Sequence, residues 1–325
     1  MAFYDRIWMA ERNTIWEIRA DGRRIPIERV PFPLPPVGAG VRFSGATVDR
    51  ETYIADVTWL RERIAAGDIF QANYTFGVEV TLADSPWHVY GYLRRQQPTA
   101  YGAYLQIDAD RAVLSCSPEL FFRWEDGQIL TAPMKGTRPR GASPDEDEQL
   151  RIELKTSRKD RAENVMIVDL MRNDFGRIAR IGTVRVPELF RVEAYPTVFQ
   201  MISIVTAEVR PDVDMIALLR ATFPPGSVTG APKVKAMELL ARCEKAERGV
   251  YCGCIGIVFP WREAVLNVVI RTLQVHGARG WYGTGGGIVI DSDPAREWRE
   301  AWQKTRFLWD VFTWRTLCAQ HGLGT

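Results

Sequence analysis

Residues 253–290 read GCIGIVFPWREAVLNVVIRTLQVHGARGWYGTGGGIVI, and this stretch decides the class of fold. Its three apolar runs are rich in β-branched and aromatic residues, which predicts strands at Gly253–Phe259, Ala264–Val275 and Trp281–Ile290. Only short turns separate the runs. Parallel strands need a long crossover connection, so these neighbours are expected to pair in an antiparallel sheet.

The rest of the chain repeats this pattern, with more predicted strands than helices and many tight turns. We therefore expect an α+β fold of large antiparallel sheets covered by helices, rather than a doubly wound parallel sheet. Further strands are predicted at 68–80, 101–107, 112–115, 120–124, 128–132, 183–191 and 198–209. Helices are predicted at 52–66, after Ser85, at 143–173 with one break, at 212–221, at 232–247 and from Pro294 to about Leu317.

The predicted organisation is one large catalytic domain with small additions at both ends. Residues 1–48 are interpreted as a β-hairpin around Asp21-Gly22 followed by a proline-rich connector at 31–36. Residues 49–318 form the main domain, and residues 319–325 form a tail.

Composition excludes several classes of protein. The net charge is +2, and no run of lysine and arginine stands apart from acids, so nucleic-acid binding is not expected. No long uninterrupted apolar run and no signal-peptide pattern occur, so we predict a cytoplasmic protein without a membrane segment. The five cysteines are irregularly spaced, which argues against a disulfide framework. The three histidines make zinc or histidine-triad chemistry improbable.

Lys135 is the first candidate for chemistry. It lies in Ala132-Pro133-Met134-Lys135-Gly136-Thr137, which we interpret as a buried turn carrying a cation. Glu119 lies upstream in Ser117-Pro118-Glu119. A primary amine and a carboxylic acid can act as nucleophile and proton donor, which indicates chemistry on a small anionic substrate.

Three glutamates form a candidate metal site. Glu297, Glu300 and Lys304 are spaced three and four residues apart, so they share one face of the last predicted helix, and Glu163 lies on another predicted helix. Carboxylates from two helices facing one cleft suit Mg²⁺. For any one of these glutamates alone, an ordinary ion pair on a solvated helix is the simpler interpretation.

Candidate anion contacts come from glycine-rich stretches and from two single residues. The glycines of 283–287 could bring backbone N–H groups close to an anion. The turn at 226–233 carries Ser227 and Thr229 at the start of a predicted helix, where a simple helix cap is an equal alternative. Arg271 lies in an apolar strand and must be paired or at its end, and arginine suits a carboxylate. Tyr251 could supply a hydroxyl group or only pack in the core.

Together these residues resemble the chorismate-utilising enzymes, which include anthranilate synthase component I, aminodeoxychorismate synthase component I, isochorismate synthase and salicylate synthase. The resemblance runs in the family's order from about residue 50 to 310. The matching stretches are GDIFQAN (67–73), SPE (117–119), PMKGTRPRG (133–141), ENVMIVDLMRND (163–174), GSVTGAPK (226–233), YCG (251–253), IRT (270–272), GGGIV (285–289) and Asp293-Pro294 through Glu297 and Glu300.

The resemblance implies an anthranilate synthase component I-like fold and a Mg²⁺-dependent amination of chorismate. Lysine at the position of Lys135 is typical of aminodeoxychorismate synthases, where it is proposed to attack ring carbon C2, whereas anthranilate synthases typically carry alanine. Glu119 is implied as the general acid, with Mg²⁺ held by Glu163, Glu297 and Glu300. The implied substrate contacts are Gln71, Gly136, Thr137, Gln200, Ser227, Thr229, Tyr251, Arg271, Gly285, Gly286, Gly287 and Lys304.

Two positions differ from other members of the family. Isochorismate and salicylate synthases use a lysine base to activate water where this chain has Gln71, so water addition is disfavoured. Many members carry histidine where this chain has Gln200. The region before the resemblance is also shorter than in most members, so we expect weak or absent feedback by tryptophan.

The resemblance also implies partners. The chain has no Gly-x-Cys-x-Gly nucleophile elbow, so ammonia is expected from a separate glutamine amidotransferase subunit. A separate lyase would release p-aminobenzoate for folate synthesis. Two alternatives stay open: another aminating synthase of the anthranilate or aminodeoxyisochorismate type, and a non-catalytic chorismate-binding module.

Overall fold

The computed structural model describes residues 6–11, 14–19, 21, 23–28, 39–195, 198–259 and 262–323. It confirms an α+β fold, and every strand pairing in the described part of the chain is antiparallel. The strands are β1 Arg6–Glu11, β2 Thr14–Arg19, β3 Arg24–Ile27, β4 Val41–Ala46, β5 Gln71–Leu82, β6 Tyr101–Gln106, β7 Arg111–Ser117, β8 Leu120–Glu125, β9 Gln128–Thr131, β10 Met134–Pro139, β11 Arg185–Ala194, β12 Val198–Glu208, β13 Gly230–Ala231, β14 Cys254–Phe259, β15 Glu263–Val268, β16 Thr272–His276 and β17 Arg279–Ile288.

The helices confirm most of the predicted ones. Ser157 ends one helix and caps the next, which is the predicted break in 143–173. The single helix predicted from Pro294 to Leu317 is wrong, because a 3₁₀ turn at Arg306–Leu308 interrupts it and the Asp310 side chain caps a new helix. The helices are α1 Arg50–Ala65, α2 Pro86–Gln96, α3 Pro144–Thr156, α4 Arg158–Gly176, α5 Met215–Thr222, α6 Lys233–Cys243, α7 Pro294–Gln303 and α8 Val311–His321.

Two seven-stranded sheets carry the fold. The strand order of the first sheet is β13-β5-β17-β16-β7-β6, with β4 also paired to β5. The order of the second is β10-β12-β9-β8-β15-β14, with β11 on the other edge of β12. Helices α1, α6 and α7 pack on the first sheet, and α4 packs on the second. Each sheet has its own hydrophobic core.

The two sheets are joined where one antiparallel pair of strands passes from one sheet into the other. The chain leaves the first sheet after Ser117 in β7 and enters the second at Leu120 in β8. It returns between Val268 in β15 and Thr272 in β16. The strand predicted at Ala264–Val275 is therefore wrong as a single element, because its two halves belong to different sheets.

Backbone hydrogen bonds hold the two crossings side by side. Cys116 N donates to Arg271 O at 3.0 Å, and Val268 N donates to Glu119 O at 3.0 Å. Arg271 has a φ of +51°. A left-handed conformation at a residue other than glycine costs about 1–3 kcal/mol and tends to occur at functional sites.

The ends of the chain pack against these sheets. β2 and β3 form the predicted N-terminal hairpin, β1 adds a third strand, and Arg24 pairs with Glu263 of β15 at 2.7 Å. The first core contains Val41 from the predicted N-terminal segment and Leu323 from the predicted tail. The predicted connector at 31–36 lies outside the described residues. In the described residues, no helix combines the length and the apolarity that a membrane span requires.

Phe122→Ala tests the core of the second sheet. Phe122 lies in β8 and is fully buried, so the substitution is expected to lower the free energy of unfolding by about 3–5 kcal/mol. Urea denaturation followed by circular dichroism measures the change. Phe312→Ala is the control, because Phe312 is 81% exposed and its truncation is expected to change the free energy by less than about 0.5 kcal/mol. Equal losses in both variants would contradict this account of the core.

Candidate active site

Glu119 lies on the first crossing between the sheets. Ser117 Oγ donates to Val268 O at 2.6 Å, which fixes the turn against the second crossing, and Glu119 N donates to Ser117 Oγ at 3.3 Å. The Glu119 side chain is only 6% exposed. Burial raises its pKa to about 6, while a hydrogen bond from the Ser227 hydroxyl and the charge of Lys135 act in the opposite direction. A carboxyl group in this state can hold a proton near neutral pH and donate it.

Lys135 lies beside Glu119 on a different element from the one predicted. It is the second residue of strand β10, not part of a turn, because β10 pairs with β12 at the edge of the second sheet. Its Nζ atom donates to Ser227 O at 3.2 Å. Burial lowers the pKa of Lys135, although Glu163 and Glu119 act against that shift. The environment therefore increases the neutral fraction of this amine.

Gln71, at the start of β5, faces the same space. It is 1% exposed, and both polar atoms of its side-chain amide lack a hydrogen-bond partner. A Cβ atom built on Gly287 would lie 2.8 Å from Gln71 Nε2 and 3.6 Å from Lys135 Nζ. A side chain at position 287 would clash with Gln71, so glycine there allows the Gln71 amide to lie against the backbone of β17. A buried amide with no partner costs free energy, so a ligand or water that hydrogen-bonds Gln71 would be favoured at this position.

Arg271, on the second crossing, also lacks a partner. No ion pair or side-chain hydrogen bond involves its guanidinium group within the described ranges. Burial lowers its pKa. A largely buried arginine without a carboxylate is well suited to bind an anionic group of a ligand. The predicted apolar strand thus places this cation at a strand end, which is one of the two possibilities that the sequence left open.

The three acidic residues occupy α4 and α7. Glu297 is 7% exposed and accepts a hydrogen bond from Ser292 Oγ at 2.7 Å. Burial and the charge of Glu300 raise the pKa of Glu297. Burial also raises the pKa of Glu163, whereas Lys304, 3.0 Å from Glu300, lowers the pKa of Glu300.

The side chains of Glu163, Glu297 and Glu300 do not converge on one point that could hold a metal ion. Glu163 lies 3.8 Å from Lys159, and the Glu300 side chain is 58% exposed. In the described part of the chain, no group of three or more acidic, histidine or cysteine side chains is placed to hold a metal ion. A Cβ atom built on Gly286 would lie 3.2 Å from Glu297 Oε2 and 3.7 Å from Lys304 Nζ. A side chain at position 286 would crowd Glu297, so glycine there allows the carboxylate to approach the backbone of β17.

The remaining predicted contacts fall into four groups. Gln200 connects Gly136 and Thr137, because its amide donates to Gly136 O and accepts from Thr137 Oγ1, both at 3.1 Å. Thr229 uses its hydroxyl within its own loop, donating to Pro225 O at 2.8 Å. Tyr251 is buried against the backbone of Gly283. The glycine-rich stretch 283–287 is the end of β17, paired with β5, which confirms the strand predicted at Trp281–Ile290.

One ion pair behind the site was not predicted. Lys233 Nζ lies 2.5 Å from Asp174 Oδ2 and donates to Thr222 O at 2.6 Å. The pair joins the end of α4 to the start of α6, and the bond to Thr222 O adds the end of α5. Helices α5 and α6 flank the loop that carries Ser227. Both residues lie in stretches that match the family. Nothing in the spacing of the sequence shows that they meet.

A larger cleft of about 980 Å³ lies elsewhere, between β4, the start of α1 and the end of α8. Its lining includes Phe43, Asp49 and His321 but none of the predicted site residues. The chemistry of the side chains, and not the size of the opening, therefore locates the candidate site.

The comparisons with known proteins agree with this fold. Residues 13–310 match the model of the chorismate binding enzyme family. An aminodeoxychorismate synthase of Streptomyces griseus is 45% identical over 253 residues, covering 78% of this chain and 35% of the relative. An anthranilate synthase component 1 of Methanothermobacter thermautotrophicus is 40% identical over 263 residues, covering 81% of this chain and 56% of the relative.

A solved structure gives the same picture. The crystal structure of anthranilate synthase component I from Streptococcus pneumoniae superposes with a TM-score of 0.79 at 26% identity, covering 91% of this chain and 72% of that chain. The protein belongs to the chorismate-binding enzyme family. The matched part of the chain spans 35% of the length of the Streptomyces relative and 56% of the length of the Methanothermobacter relative.

Ser227→Ala tests the electrostatics of Glu119. The hydroxyl of Ser227 stabilises the ionised carboxylate, so its removal is expected to raise the pKa of Glu119 further above 4.5 than in the unchanged protein. A pH titration of the carboxyl signal by ¹³C NMR measures the shift. Thr222→Val is the matched control, because the buried Thr222 hydroxyl donates to Leu218 O inside α5. A fall in the pKa of Glu119 in Ser227→Ala would contradict the assigned hydrogen bond.

Proposed function

We propose that this protein converts chorismate and ammonia into 4-amino-4-deoxychorismate and water, with Lys135 as a covalent nucleophile. The observation that carries the proposal is the placement of the Lys135 amine. It lies in a site whose burial lowers its pKa, 3.2 Å from Ser227 O and beside the protonatable Glu119. A neutral amine and a carboxylic acid of the protein that act on the same substrate can supply the nucleophile and the proton for the leaving group.

The proposed reaction has two balanced steps. In the first, the Lys135 lone pair attacks C2, the two ring double bonds shift, and the C4–O bond breaks as Glu119 gives its proton to the departing hydroxyl. Water leaves, and Lys135 becomes a charged secondary amine attached to C2. In the second, ammonia attacks C4, the double bonds shift back, and the C2–N bond to Lys135 breaks. The proton lost by the attached ammonia returns to Glu119, and Lys135 leaves as a neutral amine.

The other residues bind and orient the substrate in this proposal. Arg271 has no acidic partner among the described residues and would bind a carboxylate of chorismate. Gln71 would use its unpartnered amide to hydrogen-bond the ring substituents or the incoming nitrogen. An amide does not accept a proton at neutral pH, so Gln71 does not activate water, which favours amination over hydration.

The proposal includes Mg²⁺ because three glutamates near the site carry the kind of oxygen ligand that this ion binds. Glu163, Glu297 and Glu300 are oxygen ligands of the type that Mg²⁺ prefers. Burial raises the pKa values of Glu163 and Glu297, so a cation bound beside them would stabilise their ionised forms. When bound there, the ion would neutralise a substrate carboxylate. Lys304, which donates to Gly285 O at 2.9 Å, lies beside Glu300 in this proposed metal site.

The nitrogen source and the later step belong to separate proteins in this proposal. Ammonia would come from a glutamine amidotransferase subunit, and a lyase would release p-aminobenzoate for folate synthesis. A cytoplasmic location is consistent with five free cysteines, four of which are buried.

An anthranilate-forming activity is the second candidate, because one of the relatives at 40% identity is an anthranilate synthase component 1. Lys135 favours the first candidate. Incubation with chorismate, Mg²⁺ and ammonium salts, followed by chromatography, separates the two. Fluorescent anthranilate as the main product would overturn the proposal.

Lys135→Ala tests the nucleophile. The variant is expected to lose about 10²-fold or more of the 4-amino-4-deoxychorismate activity, or to form anthranilate instead, because the covalent step is removed. Lys159→Ala is the control, since Lys159 lies near Glu163 but its side chain is 56% exposed. Full activity of Lys135→Ala would show that ammonia attacks chorismate directly.

Glu297→Gln tests the metal site independently of turnover. The unchanged protein is expected to gain a Mg²⁺-dependent rise in melting temperature, since an ion that binds only the folded state stabilises it. The variant is expected to lose most of that rise because it lacks one anionic ligand. Differential scanning fluorimetry over a MgCl₂ series measures both. An equal rise in Glu297→Gln would place the ion elsewhere.

A further inference from the structure

Arg248 lies between α6 and β14 and does not belong to the catalytic groups above. Its side chain is 20% exposed and forms an ion pair with Glu244, 11% exposed, at the end of α6. Two guanidinium nitrogens take part: Nε donates to Glu244 Oε2 at 2.9 Å and Nη2 donates to Glu244 Oε1 at 2.6 Å. This bidentate arrangement fixes the plane of the guanidinium group.

The same guanidinium group binds two backbone carbonyls from different segments. Nη1 donates to Val228 O at 2.9 Å, and Nη2 donates to Asn73 O at 2.7 Å. Val228 follows Ser227 in the loop that contacts Lys135. Asn73 lies two positions after Gln71 in β5. Arg248 therefore connects the two backbone segments that carry Ser227 and Gln71.

The Arg248–Glu244 ion pair hydrogen-bonds the edge of β5 at the residues that β13 does not reach. β13 pairs only with Gln71 and Ala72, and Asn73 N then donates to Thr229 O at 2.9 Å. Beyond Asn73 N, the side chain of Arg248 donates to Asn73 O. Glu244 Oε1 then accepts from Thr75 N at 3.1 Å and from Thr75 Oγ1 at 2.8 Å. Two side chains thus take the place of a neighbouring strand.

Arg248 also holds the turn that carries Tyr251. Its own carbonyl oxygen accepts from Tyr251 N at 3.0 Å and from Gln274 Nε2 at 3.1 Å. Gln274 lies in β16, which continues from the second crossing. One residue therefore connects four segments that surround the site: the 226–229 loop, β5, the 248–251 turn and β16.

We propose that Arg248, held by Glu244, is a positioning residue that sets the distance between the Ser227 loop and β5 and thereby the placement of Ser227 against Lys135 and Glu119. The proposal rests on the proposed function for its kinetic consequence only. The clamp, defined as the Arg248–Glu244 pair with its bonds to Val228 O, Asn73 O and Thr75, can be tested without substrate.

Arg248→Lys is the decisive variant, because it keeps the charge but cannot bind Glu244 and both carbonyls in one rigid fork. We expect kcat/KM for chorismate to fall about tenfold or more, since small displacements of catalytic groups are costly. We also expect the upper limb of the pH profile of kcat/KM to move to higher pH. A displaced Ser227 would no longer stabilise the ionised form of Glu119, so the pKa of Glu119 would rise. Among the described residues, Lys135 would then be the one remaining group that stabilises the ionised form.

Arg262→Lys is the matched control. Arg262 likewise donates to backbone carbonyls, to Pro211 O and Val213 O at 2.7 Å and to Arg210 O at 3.4 Å, and none of these hydrogen-bond partners is a site residue. Its substitution is expected to lower the melting temperature while leaving kcat/KM within about twofold. Loss of rate in both variants at similar loss of stability would show that Arg248 has a structural role only.

Hydrogen–deuterium exchange gives the second measurement. Without substrate, Arg248→Lys is expected to speed exchange in the peptides that contain 226–229 and 73–75, and Arg262→Lys is not. Unchanged exchange in Arg248→Lys would overturn the proposal. If Arg248→Lys does not fold, Glu244→Gln replaces it, with the same expectations. If the unchanged protein forms no aminated product, the proposed function fails while the exchange measurement still decides on the clamp.

Discussion

The paired passage of two strands from one sheet into the other is the constraint on which the site depends. A sheet that continued flat through this region would leave Glu119 and Arg271 as ordinary residues of neighbouring strands. The bend instead interrupts both strands, and hydrogen bonds between Cys116 and Arg271 and between Val268 and Glu119 keep the interruptions in register. Each interruption carries one of these two charged residues. The left-handed backbone of Arg271 is the conformational cost of this arrangement.

Three further elements contribute groups to the candidate site. β10 supplies Lys135, β5 supplies Gln71, and the loop before β13 supplies Ser227. Burial alone would neutralise both Lys135 and Glu119, yet each charge favours the ionised form of the other. The pair is therefore poised so that a proton can be lost from one group and held by the other without a large change in the total charge. Such a balance suits a reaction in which an amine attacks while an acid protonates the leaving group.

The sequence predicted the class of fold because alternating and β-branched runs, glycine turns and helix caps are local signals. A helix start at Ser85 and one break within 143–173 were predicted, and Ser85 and Ser157 act as the caps at these two places. The sheet change inside Ala264–Val275 was missed, since all of Val265–Ile270 is compatible with one strand and the change depends on tertiary pairing. The resemblance placed Lys135, Glu119 and Ser227 in one site, and the structure brings them together. Glu163, Glu297 and Glu300 stay a prediction as a metal site, because convergence of side chains on different helices depends on rotamers and on the ion itself.

Arg248 shows why a positioning residue escapes sequence reasoning. The spacing of Glu244 and Arg248 predicts only an ordinary ion pair four residues apart, of the kind that adds little stability on an exposed surface. Its significance comes from the carbonyl oxygens of Val228 and Asn73, which are far from it in the chain and carry no side-chain signal at all. Backbone groups are the same at every position, so a contact to them leaves no pattern in the composition. A guanidinium group that is already fixed by a carboxylate loses little entropy when it binds two carbonyls, and for that reason it can hold two segments of an active site at a set distance where a lysine would not.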